Sequence, residues 1–249
     1  MSNHPIAAAI QLRSGRSVAA NISAAVALVN EAVAKGAIYI QLPEMASLIE
    51  RDRDKLFAAI RTEDADAFLA AMRDAAHKAG VMIHIGSLAV LNGDKVANRA
   101  FIVDPHGAIV ARYDKIHLYD VDLPNGESWR ESATYTAGSC TSVVATPIGK
   151  LGVAICYDIR FGHLFRALAE AGAEILTAPA AFTRQTGEAH WHILQRARAI
   201  ETGSFVISAA QGGMHEDGRE TYGHSLIVDP WGRVQIGRAS CRERVLMPV

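Results

Sequence analysis

Three residues of different chemistry stand at the ends of apolar runs. Cys156 closes LGVAIC at 151–156 and is followed directly by Tyr157, Asp158 and Arg160. Glu44 closes IYIQLPE at 38–44, and Lys115 follows Ala111-Arg-Tyr-Asp. A thiol can attack a carbonyl, a carboxylate can carry its proton, and an ammonium can balance the oxyanion that forms. Each residue has an ordinary alternative. A cysteine at the end of an apolar strand is more often a buried structural thiol, a glutamate after a turn is usually solvated, and lysines are usually on the surface. The set gains force because strand ends are where a rigid sheet presents side chains to a loop-lined cleft.

The elements that must position them read as follows. Strands are expected at 6–12, 38–44 and 81–90, and helices at 17–35 and 64–80. Apolar positions at Val18, Ile22, Ala25, Val26 and Val29 give the first helix its face, and Lys35-Gly36 its stop. A hairpin is expected over 98–113, turning at Asp104-Pro105-His106-Gly107. Residues 115–142 read as a loop, followed by strands 142–147 and 151–156 and a helix at 163–171. Strand 174–180, helix 186–202, strand 205–210, a Gly-rich loop at 211–223 and strand 224–229 complete the series. Strands alternating with helices, interrupted by hairpins, imply an α/β fold with mixed sheets. FIVDPHGAIV at 101–110 resembles LIVDPWGRVQ at 226–235. Two similar hairpins would explain this, as would a pseudo-symmetric pair of sheets.

The bulk numbers exclude several classes. With 249 residues and no linker, one domain is expected. Lys plus Arg total 25 against 26 for Asp plus Glu, a net charge of −1, so the broad basic field of a nucleic-acid binder is missing. No long uncharged apolar run suggests a membrane helix. The first residues lack the pattern of a signal peptide, and three scattered cysteines suit a reducing, cytoplasmic setting. The ten histidines show no H-E-x-x-H pattern, and His190 and His192 do not share a helix face, so no metal and no cofactor are expected. A Cys–His protease is the other nucleophilic option, but no histidine stands out as a partner.

Glu44 in LPE, Lys115 in YDKIHL and Cys156 in GVAICYDIRF together resemble the Glu-Lys-Cys triad of the nitrilase superfamily of carbon–nitrogen hydrolases, over roughly residues 6–235. The resemblance implies a four-layer α-β-β-α sandwich, with two mixed sheets inside and helices outside. It also implies a second glutamate between the lysine and the cysteine; Glu131 in Trp129-Arg-Glu131-Ser fits that position, and Glu127 is the weaker candidate. In this reading Glu44 takes the thiol proton, because a free thiol of pKa about 8.5 is mostly protonated at neutral pH. Lys115 and the Tyr157 backbone N–H stabilise the oxyanion, and Glu131 orients Lys115 or the substrate amide.

Residues 189–202 and 222–232 resemble the branch that includes deaminated glutathione amidase and omega-amidase, and Ala209-Ala-Gln211-Gly-Gly, with Glu201-Thr before it, looks closer to the former. That implies hydrolysis of the terminal amide of a small carboxylated α-keto substrate such as deaminated glutathione, releasing ammonia through a Cys thioester. Arg160 is the expected holder of the substrate carboxylate, with a structural salt bridge as its alternative role. Phe182 and Thr186 are expected pocket residues. Competing readings are omega-amidase action on α-ketoglutaramate, an N-carbamoyl-amino-acid hydrolase, and an inactive assembly partner. A homodimer or higher homo-oligomer is expected through 163–202 and the tail.

The tail departs from the family. IGRASCRERV at 236–245 looks like the translation of a sequencing adapter. The hydrolase domain is therefore expected over 1–235, and 236–249 as non-native residues, with no role for Cys241 and an incomplete last hairpin.

Overall fold

The computed structural model describes residues 5–123, 126, 128–237 and 244–248. Glu127 and Cys241 lie outside the described residues. Among the described residues, five α-helices flank the two main sheets: α1 Val18–Ala34, α2 Arg53–Ala59, α3 Ala67–Ala79, α4 Gly162–Glu170 and α5 Arg184–Thr202. The first half carries β1 Ile6–Ile10, β2 Ala37–Gln41, β3 Met82–Asn92, β4 Lys95–Val103 and β5 Ile109–Asp114. Short strands follow in the connection: β6 Asp120–Asp122, β7 Ser128–Arg130 and β8 Tyr135–Thr136. The second half carries β9 Ser142–Thr146, β10 Gly149–Val153, β11 Ile175–Thr177 and β12 Phe205–Ser208. The hairpin β13 Gly212–Met214 and β14 Glu220–Tyr222 precedes β15 Leu226–Val228, β16 Val234–Gly237 and β17 Arg244–Pro248.

One sheet runs β17-β1-β2-β3-β4-β5, the other β16-β15-β12-β11-β10-β9. In each, three parallel strands (β1, β2, β3 and β10, β11, β12) pass into two antiparallel ones (β4, β5 and β15, β16). The repeated VDP-x-G segments turn the corresponding hairpins of the two sheets, which is the pseudo-symmetric alternative. The apolar faces account for the layers. Ala25, Val29, Phe68 and Met72 of α1 and α3 pack with Ile10, Ile40 and Ile83 on one side of the first sheet. Its other side meets the second sheet through Tyr39, Ile102, Leu151 and Val153, in a core that continues to Phe165 and Trp191 of α4 and α5. This is an α-β-β-α sandwich.

Polar groups also cross between the sheets. Gln41 Oε1 accepts from Ala209 N at 2.6 Å, and Gln211 Nε2 donates to Glu44 O at 3.1 Å. Such buried amides need fitted partners, so they fix how the halves meet.

The structure adds one element to the expected series and corrects three expectations. Residues 53–59 form helix α2, capped by Asp52, whose side chain accepts from Asp54 N and Lys55 N. The stretch 115–142 contains the β6–β7 hairpin, and 211–223 contains β13–β14. The final hairpin is not left incomplete: β16 pairs with β15 in register Leu226↔Gly237, Ile227↔Ile236 and Val228↔Val234.

Candidate active site

The Glu44 turn is held by an unusually close backbone approach. Leu42 N donates to His84 O at 2.8 Å and Ser87 N to Pro43 O at 3.3 Å, across an irregularity in β3 between Ile85 and Leu88. A Cβ on Gly86 would lie 2.2 Å from Leu42 O, so only glycine fits. Lys115 leaves β5 with its N–H bonded to Asn98 O at 2.9 Å, and its own carbonyl accepts from Gly138 N at 2.9 Å. Cys156 follows β10 and opens a short 3-10 turn with φ of 47°. A positive φ is strained for a side chain other than glycine, and such strain gathers at functional sites. Asp158 steadies this turn: it is fully buried and accepts from Ile155 N at 2.9 Å, Tyr113 Oη at 2.7 Å and His117 N at 3.0 Å.

These elements bring Glu44, Lys115, Glu131 and Cys156 together. Lys115 Nζ lies 3.1 Å from Glu44 Oε1 and 2.9 Å from Glu131 Oε2. Glu44 also accepts from Asn98 Nδ2 at 2.9 Å and Ala181 N at 2.7 Å. Glu131 accepts from Asn98 Nδ2 at 3.1 Å and Tyr119 N at 2.6 Å. The Cys156 N–H is committed to Pro179 O at 3.0 Å, which leaves the Tyr157 N–H as the next backbone donor beside the thiol.

Burial and charge set the proton positions. Burial pushes the Cys156 thiol well up, and the Glu44 carboxylate adds to this against the opposing pull of Lys115. Burial also acts to raise Glu44, but Lys115, the thiol hydrogen bond from Cys156, Asn98 and Ala181 N outweigh it and hold the carboxyl below its usual range. Lys115 is opposed by burial yet held well above its ordinary value by Glu131 and Glu44. The resting arrangement is a protonated thiol beside an ionised carboxylate and an ammonium. That is the arrangement for general-base attack on a carbonyl rather than for a preformed thiolate.

One cavity of about 530 Å³ is lined by all four of these residues and by Tyr157, Phe182 and Thr186. Arg160 is not part of its wall. Its guanidinium lies 5.8 Å from the Tyr157 ring and 5.6 Å from the Phe182 ring, and 3.2 Å from His190 Nδ1. Its charge still reaches the wall, where it acts on Tyr119. No carboxylate pairs with it among the described residues. Sequence reasoning missed Asn98, Tyr119 and Ala181. Asn98 sits in mid-strand, away from the strand ends that the sequence marks, and Tyr119 and Ala181 serve Glu131 and Glu44 through peptide N–H groups, which no side chain signals. Among the described residues no group of three or more His, Cys, Asp or Glu is arranged to hold a metal ion, and no helix is long and apolar enough to cross a membrane.

Comparison with known proteins gives concordant results. The family described as carbon-nitrogen hydrolase matches residues 6–247. A probable hydrolase, nit2, of Schizosaccharomyces pombe is 41% identical over 92% of the chain and 84% of its own length. A deaminated glutathione amidase of Synechocystis is 40% identical over 91% of the chain and 85% of its own. The crystal structure of the C. elegans NitFhit protein superposes with a TM-score of 0.90 at 34% identity, covering 99% of this chain and 61% of that longer one.

Proposed function

Because the chain belongs to the carbon-nitrogen hydrolase family, and is thus a hydrolase of carbon–nitrogen bonds other than peptide bonds, we propose that Cys156 is its nucleophile, Glu44 its general base and acid, and Lys115 its oxyanion partner. The observation that carries this is the placement of one ammonium, 3.1 Å from Glu44, in the same cavity wall as the thiol. The thiol proton passes to Glu44 as sulfur bonds to the amide carbon. Lys115 and the Tyr157 N–H hold the resulting oxyanion. Its collapse breaks the C–N bond while Glu44 returns the proton to the leaving nitrogen. Water then attacks the thioester, gives its proton to Glu44, and the S–C bond breaks to release acid and thiol. Glu131 keeps Lys115 charged and aimed. Positioned acid–base catalysis of this kind typically gives about 10²–10⁴-fold.

The substrate proposed is deaminated glutathione, supported by relatives of that name and by a cavity of about 530 Å³, larger than a minimal amide requires. A primary amide would release ammonia. In deaminated glutathione the amide nitrogen belongs to the cysteinyl residue, so the leaving group is the amine of cysteinylglycine. Phe182 and Thr186 shape the wall, and Arg160 supplies positive charge toward the α-keto carboxylate. Turnover of deaminated glutathione, α-ketoglutaramate and an N-carbamoyl amino acid, measured in parallel, tests this. A preference for α-ketoglutaramate would reassign the substrate to the omega-amidase reading. No turnover of any by folded protein would favour a role in assembly.

A homodimer is proposed through α5. Ile193 and Ile200, spaced seven apart on one face, are 67% and 56% exposed, and Trp231, whose neighbour Gly232 lies against Ile200, is 78% exposed. Light scattering of an Ile193→Asp variant should show a monomer. The exposed free Cys140 and the thiol nucleophile suit a reducing cytoplasm.

A further inference from the structure

Part of the cavity wall has no task in the reaction above. Arg51 and Arg53 precede and open α2, Arg219 sits between β13 and β14, and Trp129 lies on β7; all four line the cavity that holds Cys156. The Arg51 and Arg219 guanidinium carbons lie 5.1 and 4.9 Å from the Trp129 ring centroid. Two cations on one indole and a third lining the same cavity repel one another, so the wall is strongly positive unless carboxylates answer them.

The nearby carboxylates are committed elsewhere. Glu50 pairs with Arg16 at 2.7 Å, Glu131 with Lys115 at 2.9 Å, and Asp122 with Arg130 at 2.8 Å. Asp52 caps α2 and pairs with Lys55. Only Asp217 approaches the group, 3.4 Å from Arg219, and Arg219 Nε is buried without an acceptor. Arg51 and Arg53 form no ion pair among the described residues, and Arg53 rests on Phe57 at 4.8 Å.

The group also has a defined position relative to the chemistry. From Trp129 a row of rings runs to Tyr119 at 6.2 Å and on to Tyr157 at 5.0 Å, the residue after the nucleophile. Arg160 stands over the far end of that row. Cationic groups therefore mark both ends, with the thiol near the Arg160 end. Arg51 and Arg53 are exposed while Cys156 is buried, so the Trp129 end is the mouth.

We propose that Arg51 and Arg219, gathered at Trp129, and Arg53 in the same cavity wall form a subsite for a second carboxylate, carried on the amine side of the scissile amide. The substrate class is an extended dianion with one carboxylate at each end. This rests on the amidase reading of Cys156 and deepens it. The glycine carboxylate of deaminated glutathione is a group of this class. A short amide with one carboxylate leaves the subsite empty.

The test separates the subsite from the reaction. Binding of deaminated glutathione and of its glycine carboxamide is measured by calorimetry on Cys156→Ala, which cannot turn either over. The acid should bind about tenfold tighter than the carboxamide, and the gap should narrow with added salt because the subsite is open to solvent. Adding Arg51→Gln and Arg53→Gln, both exposed and without ion pairs among the described residues, should close the gap to within about twofold. Equal affinity for acid and carboxamide, no measurable binding of either, or a gap that survives the arginine changes would overturn the subsite. If the gap is as expected and the unsubstituted enzyme still fails to hydrolyse deaminated glutathione, the substrate reading fails and the subsite stands.

Discussion

Asn98 donates from Nδ2 to Glu44 Oε1 at 2.9 Å. The same nitrogen reaches Glu131 Oε1 at 3.1 Å, so one neutral amide bridges the two carboxylates on either side of Lys115. Asn98 is therefore expected to act as a positioning residue that keeps Glu44 ionised. Asn98→Ala should lower kcat about 10- to 100-fold, the worth of a hydrogen bond to a charged group. That bond lowers the Glu44 pKa, so its loss should move the acid limb of the rate profile to higher pH. A rate profile that falls uniformly, with its acid limb unmoved, would leave Asn98 a merely structural role.

Lys115 is the one ammonium between Glu44 and Glu131, and its side chain is 3% exposed. Lys115→Ala leaves the buried Glu44 carboxylate facing the partly buried one of Glu131 with no cation between them. A loss of about 3–5 kcal/mol is expected, the usual cost of breaking a buried pair. The pH dependence has a definite sign. Lys115 is raised on folding, so its contribution is present below its unfolded pKa and fades as pH rises through the folded value. Glu44 is lowered, so its contribution is present above its unfolded pKa and fades as pH falls through the folded value. Urea unfolding across pH should show the deficit of the variant greatest at neutral pH. Equal stability of variant and parent at pH 7 would contradict the pairing.

Glu44→Gln should make the thiol more acidic, although it removes the base. The carboxylate and its hydrogen bond both raise Cys156, while Lys115 lowers it. With glutamine in place, burial and the Glu131 carboxylate still oppose the Lys115 charge, but the two upward effects of Glu44 are gone. Thiolate absorbance titrated against pH should show a lower midpoint in the variant, with turnover nevertheless lost. A midpoint that stays or rises would mean that Glu44 does not face the thiol.

Gly86→Ala tests the turn that carries Glu44. The added methyl would lie 2.2 Å from Leu42 O and 2.5 Å from Pro179 Cβ. Neither neighbour is the free end of a flexible chain, so overpacking of at least about 1–3 kcal/mol is expected, with a loss of activity larger than the stability change explains. Thermal unfolding and turnover of the same preparation would decide it. A variant as stable and as active as its parent would show that the turn has room.

Much of this was legible before the fold was known, and the reason is local. LPE, YDKIHL and CYD each place their reactive residue within a few positions of a strand end, and each run reports its own strand. The VDP-x-G repeat likewise announced matching hairpins. Asn98 was not legible because β3 is irregular between Ile85 and Leu88, so which strand residue faces Glu44 depends on a register that periodicity does not give. Helix α2 hid behind the charges of RDRDK, with Leu56 its one buried residue. The arginine group at Trp129 joins segments around 51, 129 and 219, and only the tertiary fold brings them within reach of each other. Arg160 stands close to Cys156 in sequence, yet its guanidinium lies over the cavity's rings rather than within its wall.

The bonds that cross between the two sheets bear on how the chain acquires its chemistry. Glu44 and Lys115 come from the first sheet, and Cys156 and Ala181 N from the second. A nascent chain with only its first half folded thus holds a base and an ammonium but no nucleophile. An isolated second half would expose a thiol with nothing beside it to take its proton. On the proposed roles, base and nucleophile meet only when the halves dock, so turnover per molecule counts the fraction of chains whose halves have closed.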